Sequence, residues 1–263
     1  LPVTTADSIC LATKVHPRIT GRLDGNAVRL QFNESMRRFR RDQIDILYFH
    51  FPDPETPIDD ALEAFADLHE QGKVKELGLS NFPAWMVVDI WHLCNERGWP
   101  RPSVYQGRYN GLSRNVEKEL FPALRKLDMR FYAYNPLAGG LLSGKHNNFE
   151  KPSPGRFTLL QSYKGRYWNR TFFEAVIALT DKCHHLEIEP LEAAFRWLIH
   201  HSFLKAEQGD GIIIGASKMN QLIQNLAAIE KGELPDSIVK SFDMAWDATK
   251  SCCPEYFSFY VSQ

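Results

Sequence analysis

The sequence is short of net charge, of long apolar runs and of paired cysteines, and each shortage excludes something. Lys and Arg number 31 against 32 Asp and Glu, so the 263-residue chain carries a formal net charge of −1 at pH 7. A chain so balanced has no long-range field to draw in nucleic acid or an acidic membrane surface, and neither is expected as a partner. Its longest apolar runs fall well short of a membrane span. The N-terminus lacks the basic-then-apolar order of a signal peptide, so a cytoplasmic location is expected. The five cysteines, Cys10, Cys94, Cys183, Cys252 and Cys253, are odd in number and form no C-x-x-C pair. They are expected to be reduced structural thiols, with the adjacent Cys252 and Cys253 as the one redox alternative. No metal site is expected. No Gly-rich dinucleotide fingerprint follows the first strand, which weakens a Rossmann reading. The sequence also opens at Leu1 rather than Met.

What is present is an ordinary globular composition, 44% hydrophobic and 24% charged, long enough to bury a sizeable core. Short apolar runs alternate with amphipathic stretches. Residues 8–14, 44–50, 76–80, 103–106, 130–134 and 211–215 read as strands. Helices are expected at 25–40, 58–71, 83–96, 116–127, 171–186, 189–200, 219–231 and 235–250. In the first, Val28, Phe32, Met36 and Phe39 fall on one face. In the second, Leu62, Phe65 and Leu68 point inward and Gly72 is the stop. A long polar, Gly- and Pro-bearing stretch runs from Ala138 to about Arg170. Strands apolar throughout and separated by helices imply a parallel sheet covered on both faces. The fold class is α/β, of the (β/α)8 TIM-barrel type, with about six β/α units, in one domain over 1–263.

In such a barrel the active site is built at the C-terminal ends of the strands. The six strands end in Lys14, His50, Ser80-Asn81, Gln106, Tyr134-Asn135 and Gly215-Ala216-Ser217-Lys218. Taken singly, each is a solvated charge, a hydrogen-bonded histidine or a helix cap. Polar residues closing every strand point together to one converging polar site.

The chain resembles the aldo-keto reductase superfamily, most closely its aflatoxin-aldehyde and succinic-semialdehyde reductase branch. The residues that carry the resemblance are Ala12-Thr13-Lys14, Asp45 to His50, Gly78-Leu79-Ser80-Asn81, Val104 to Asn110, Tyr132 to Lys145 and Gln221 to Leu226. The resemblance implies an NADP-dependent enzyme that reduces an aldehyde or ketone to an alcohol, with hydride from the cofactor and a proton from the protein. It assigns Lys14 and His50 to the family's catalytic tetrad of Asp, Tyr, Lys and His, with His50 also orienting the substrate carbonyl. It places Ser80, Asn81 and Gln106 on the nicotinamide carboxamide, for which amide side chains offer both donor and acceptor. Tyr134 matches the aromatic that stacks on the nicotinamide. Asn135, Pro136, Leu137, Ala138, Gly139, Gly140, Leu141, Ser143 and Lys145 match the strap along the pyrophosphate, and Arg156 a further cofactor-binding Arg. Gly215, Ala216, Ser217, Lys218, Gln221, Gln224 and Asn225 match the segment that takes the adenosine 2′-phosphate, at the opening of a helix. Tyr163 and Arg166 match loop positions that meet substrate.

Two departures from the family pattern stand out. Where the branch ends in Tyr-Phe-Arg, this chain has Tyr256-Phe257 followed by Ser258, Phe259 and Tyr260, which implies a bulkier, less acidic substrate. And the family's tetrad Asp and Tyr lie two β/α units before the Lys strand, whereas thirteen residues precede Lys14. Either the sequence lacks an N-terminal part of the protein, or the protein is a natural truncation acting as a non-redox catalyst or a cofactor-binding regulatory partner. Tyr48, Tyr105, Tyr109 and Tyr163 are the substitute phenols within the chain. A small-molecule carbonyl substrate is expected, with the protein a monomer or homodimer.

Overall fold

The computed structural model describes residues 9–146, 149 and 156–260. Six strands, β1 (Ala12–Val15), β2 (Ile44–Phe49), β3 (Val74–Ser80), β4 (Pro102–Arg108), β5 (Arg130–Tyr134) and β6 (Gly211–Ile212), form one sheet in chain order. β1–β2, β2–β3, β3–β4 and β5–β6 pair in parallel. Helices stand between consecutive strands: α1 (Pro17–Thr20) and α2 (Gly25–Phe39), α3 (Asp59–Glu70), α4 (Ala84–Arg97), α5 (Leu120–Lys126), then α6 (Arg156–Leu159), α7 (Gln161–Tyr167), α8 (Arg170–His185) and α9 (Pro190–Arg196). α10 (Met219–Ile229) and α11 (Asp236–Thr249) follow β6. This is the α/β repeat of the TIM-barrel type, with six β/α units in this chain.

The chain divides into two compact units. One holds Leu1–Gln106, Glu119–Phe131 and Phe257–Gln263, and the other Gly107–Lys118 and Tyr132–Tyr256. In the first, β2 and β3 are buried almost throughout. α2 packs against β1 and α3 and buries Val28, Phe32 and Met36, each worth roughly 1.5–3 kcal/mol on full burial. Leu62, Phe65 and Leu68 of α3 are buried as their spacing predicts. Gly72 lies just past α3 with φ 69°, a left-handed turn that glycine adopts without strain. Stacked and tilted rings of Tyr105, Phe121 and Phe131 complete the core of this unit. In the second unit, Trp197 packs between Tyr109 and Phe242 at centroid distances of 5.8 and 5.6 Å.

Several local expectations are corrected. Phe39 is 40% exposed, because α2 ends there and Arg40 turns left-handed at φ 54°. The first strand begins at Ala12; Ser8 lies outside the described residues. The helix expected over 116–127 is a 3-10 turn, Asn115–Glu117, followed by α5. That over 189–200 passes from α9 into a π turn at Trp197–His201. The strand expected over 211–215 ends at Ile212, although the Ile213 N–H still reaches the Ala133 carbonyl at 2.8 Å. Within the polar stretch 138–170 the described residues include a 3-10 segment at Ala138–Ser143 and the helices α6 and α7. Its Gly and Pro content masked a four- and a seven-residue helix, too short to show a clear period. All five cysteines are free thiols. Burial pushes Cys94 up to about 12 and Cys183 to about 11, whereas Cys10 and Cys252 are exposed.

Candidate active site

In the first unit the ladder itself arranges the strand-end residues. Lys14 is opposite Tyr48, Val15 opposite Phe49, Phe49 opposite Leu79, and Ser80 opposite Gln106. Lys14 therefore stands near the end of β1, His50 follows β2, Ser80 closes β3 and Gln106 lies near the end of β4. These four positions, with Asn81, occupy the C-terminal ends of four consecutive parallel strands.

Asn81 turns the chain at the end of β3. It has φ 62°, a left-handed conformation that Asn tolerates better than most residues. Its amide donates to the His50 carbonyl at 2.9 Å and to the Ser80 hydroxyl at 3.0 Å, tying the end of β3 to the end of β2. Its carbonyl accepts from Ser258 N–H, and Tyr260 N–H donates to the Pro52 carbonyl. The tail at 257–260 thus runs along the ends of β2 and β3, with the Phe257 and Phe259 rings edge-on at 5.7 Å.

Electrostatics in this group favour neutral bases. Burial is the first cause holding His50 down to about 3, followed by the neighbouring His16, Lys14 and Arg18. Its imidazole is therefore neutral at physiological pH and keeps one N–H to donate. Burial alone lowers Lys14 from the ordinary lysine range. His16 was not singled out by sequence. Its ring meets His50 edge-on at 4.7 Å, and Phe51 closes the trio at 4.9 Å from each. His16 is held in turn by Gln31, which accepts from its N–H and donates to its carbonyl.

The second unit holds the other strand ends. Tyr134 closes β5, and burial raises its phenol above the usual range. Asn135 follows at φ 67°, Ala138 at 48°, Gly139 at 73° and Gly140 at 110°. Leu141 is buried, Pro136 is buried, Leu137 is half-buried, and Lys145 is exposed. The Ser143 hydroxyl donates to the Gly140 carbonyl at 2.6 Å. Tyr163 of α7 sits directly on Gly139, where a Cβ would come within 2.8 Å of its Cδ1. Arg166 lies 5.5 Å from the Tyr163 ring centroid, so these two loop residues are brought together with the glycine strap. The side chain of Arg156 lies outside the described residues.

Sequence reasoning missed Tyr167. It is fully buried, and its hydroxyl is approached by the Asn110 and Asn135 amides at 3.3 and 3.4 Å and by the Ser113 hydroxyl at 3.4 Å. Asn110 also donates to the Asn135 carbonyl at 2.9 Å. This knot fixes the left-handed Asn135. The available signal was the i, i+4 pair of Tyr163 and Tyr167 inside the polar, Gly- and Pro-bearing stretch.

After β6, Gly215, Ala216, Ser217 and Lys218 are exposed. Gln221 folds back so that its carbonyl accepts from Ser217 N–H and Oγ at 3.1 and 3.0 Å, closing the start of α10. Gln224 is exposed and Asn225 buried. Of the substitute phenols, Tyr105 donates to the Phe82 carbonyl at 2.8 Å and Tyr109 to Glu117 at 2.7 Å, both fully buried. Their protons are spent on the fold.

Comparison with known proteins agrees with this chemistry. Residues 3–247 match the family model described as the Aldo/keto reductase family. The chain is 44% identical over 258 residues to human aflatoxin B1 aldehyde reductase member 2, covering 94% of this chain and 72% of that protein. It is 43% identical over 256 residues to human aldo-keto reductase family 7 member A3, covering 93% and 77%. The mouse aflatoxin B1 aldehyde reductase member 2 is 42% identical over 261 residues, 95% of this chain and 71% of that protein. Together with the polar strand ends of a parallel α/β sheet, these matches establish that the chain belongs to the aldo/keto reductase family of oxidoreductase enzymes.

Proposed function

We propose that the protein reduces an aldehyde or ketone to the alcohol, using NADPH. The observation that carries this reading is the register that sets Lys14, His50, Ser80, Asn81 and Gln106 at adjacent strand ends. His50, neutral and packed against His16, donates a hydrogen bond to a carbonyl oxygen and orients it. Lys14 is a half-buried ammonium, and beside a phenol such a charge lowers the phenol's pKa and eases proton donation. When bound, NADPH supplies the hydride. The residues present fit that cofactor. A Cβ at Gly140 or Gly215 would meet nothing within 4 Å, so the backbone at both is open to a phosphate. Gln106 and Ser80 fit a carboxamide, Tyr134 a flat ring, the strap at Asn135–Lys145 the pyrophosphate, to which the family resemblance alone adds Arg156, and Lys218 with Gln221, Gln224 and Asn225 the 2′-phosphate.

The substrate is read as bulkier than succinic semialdehyde, because Phe259 and Tyr260 run beside Asn81 and Pro52 where an Arg would favour a small acid. Tyr163 and Arg166 remain as substrate contacts. The protein is read as one domain over 1–263, cytoplasmic, and a monomer or homodimer. Fluorescence titration with NADPH and NADH, followed by turnover of an aromatic aldehyde, tests the proposal. Micromolar or tighter NADPH binding, weaker NADH binding and NADPH-dependent reduction are expected. Binding without turnover of any carbonyl would favour a non-redox role, and binding of neither nucleotide would remove the reading.

A further inference from the structure

The strand-end roles leave unused an arrangement directly beside Lys14. The ladder sets Lys14 opposite Tyr48 and Tyr48 opposite Gly78, so three residues on β1, β2 and β3 share one level. Tyr48 is 1% exposed. Its ring occupies the space that a side chain at position 78 would need: a Cβ there would stand 2.3 Å from Cδ1 and 2.4 Å from Cε1 of Tyr48. The Lys14 ammonium lies 5.2 Å from the centroid of the same ring.

We propose that the Tyr48 ring, seated in the gap left by Gly78, is a positioning residue for Lys14, holding its ammonium by the π face. The proposal rests on the reading of Lys14 as the catalytic lysine. A half-buried ammonium loses water and needs an electron-rich neighbour to remain charged. The face of a buried aromatic ring supplies one without a second charge, and its attraction grows where water is excluded. Glycine at 78 makes the seat possible, because any side chain there would push the ring out of its plane. The ring face does this work and the hydroxyl does not. Tyr48 thereby serves as the lysine's support and not as a proton donor.

The test reads Lys14 directly. Protein labelled with [ε-13C]lysine is titrated by NMR, the Lys14 signal being assigned by its loss in Lys14→Met, and carbonyl reduction is measured on the same samples. Tyr48→Phe keeps the ring face and should leave the Lys14 pKa and kcat within about twofold of the parent. Tyr48→Leu should lower the Lys14 pKa by about one unit, the scale of a desolvated cation–π contact. It should lower kcat about tenfold with KM unchanged, since substrate contacts are untouched. Gly78→Ala, which displaces the ring without removing it, should move both in the same direction by less; it also serves if Tyr48→Leu does not fold. An unmoved Lys14 titration in folded Tyr48→Leu or Gly78→Ala protein overturns the proposal. So does a Tyr48→Phe variant that behaves like Tyr48→Leu, because the hydroxyl would then carry the effect. If the titration moves as expected while the parent reduces no carbonyl, the positioning role stands and the reductase reading fails.

Discussion

The two compact units hold their candidate functional groups by different means. In the first, Lys14, His50, Ser80 and Gln106 are placed by strand register, and the ladder that positions each one is buried. In the second, the residues from Asn135 to Gly144 are placed by a run of left-handed backbone, at Asn135, Ala138, Gly139, Gly140 and Gly144. That run is held by the buried hydroxyl of Tyr167 and the ring of Tyr163. On the proposed reading, the chemistry would be built on the rigid element, where a shift of a fraction of an ångström is costly. The loop-borne group suits wrapping a large ligand, where adaptability costs less.

The largest expected effect sharpens the first half of the comparison. Lys14→Met should reduce kcat by roughly a thousandfold or more, because the phenol loses its charged neighbour. Steady-state reduction assays check this, and a variant within tenfold of the parent would move the chemistry away from β1. His50→Ala should cost roughly 100-fold in kcat with a raised KM, since it removes both a donor and an orienting contact.

Tyr167→Phe acts on the second half. It strands the Asn110 and Asn135 amides in a buried knot, at a cost of about 1–3 kcal/mol. The thermal midpoint should fall by several degrees, and NADPH affinity should weaken while kcat at saturating cofactor stays within a fewfold. Equal losses in both parameters would show that the knot is not confined to the loop.

The smallest effect is in pH. His50 titrates near 3 when folded and near 6.5 when unfolded. The unfolded chain therefore binds the proton first, so stability falls as pH drops from about 6.5 towards 3. His16 and His201, also lowered by burial, add to the same slope. Melting curves between pH 7 and 5 should show the decline, and His50→Asn should flatten it. An unchanged slope in that variant would mean that His50 is not the buried neutral group described.

The strand-borne half of the site was legible in the sequence because a strand end is announced by its apolar run. Ile44 to Phe49 followed by His50, and Glu76 to Leu79 followed by Ser80, leave no doubt where the polar residue falls. The loop-borne half was legible only through the family resemblance. Left-handed Asn135 and Ala138 leave no periodic mark, and α7, with Tyr167 at its end, is too short to show a period. Register was hidden too: nothing in the sequence sets Lys14 opposite Tyr48 and Tyr48 opposite Gly78, since that follows from how neighbouring strands slide into alignment. His16 escaped notice because its partner His50 is thirty-four residues away and the two meet only across β1 and β2.

The central claim is that the strand ends carry the chemistry and the strap holds the cofactor. It is tested most directly by measuring NADPH dissociation constants for the parent, Lys14→Met and Gly139→Ala under one set of conditions. Gly139→Ala combines a strained φ of 73° with a Cβ 2.8 Å from Tyr163, and should weaken NADPH binding by about fivefold or more, of order 1 kcal/mol. Lys14→Met should bind NADPH within twofold of the parent. A Lys14→Met protein that loses NADPH while Gly139→Ala binds it normally would contradict the account.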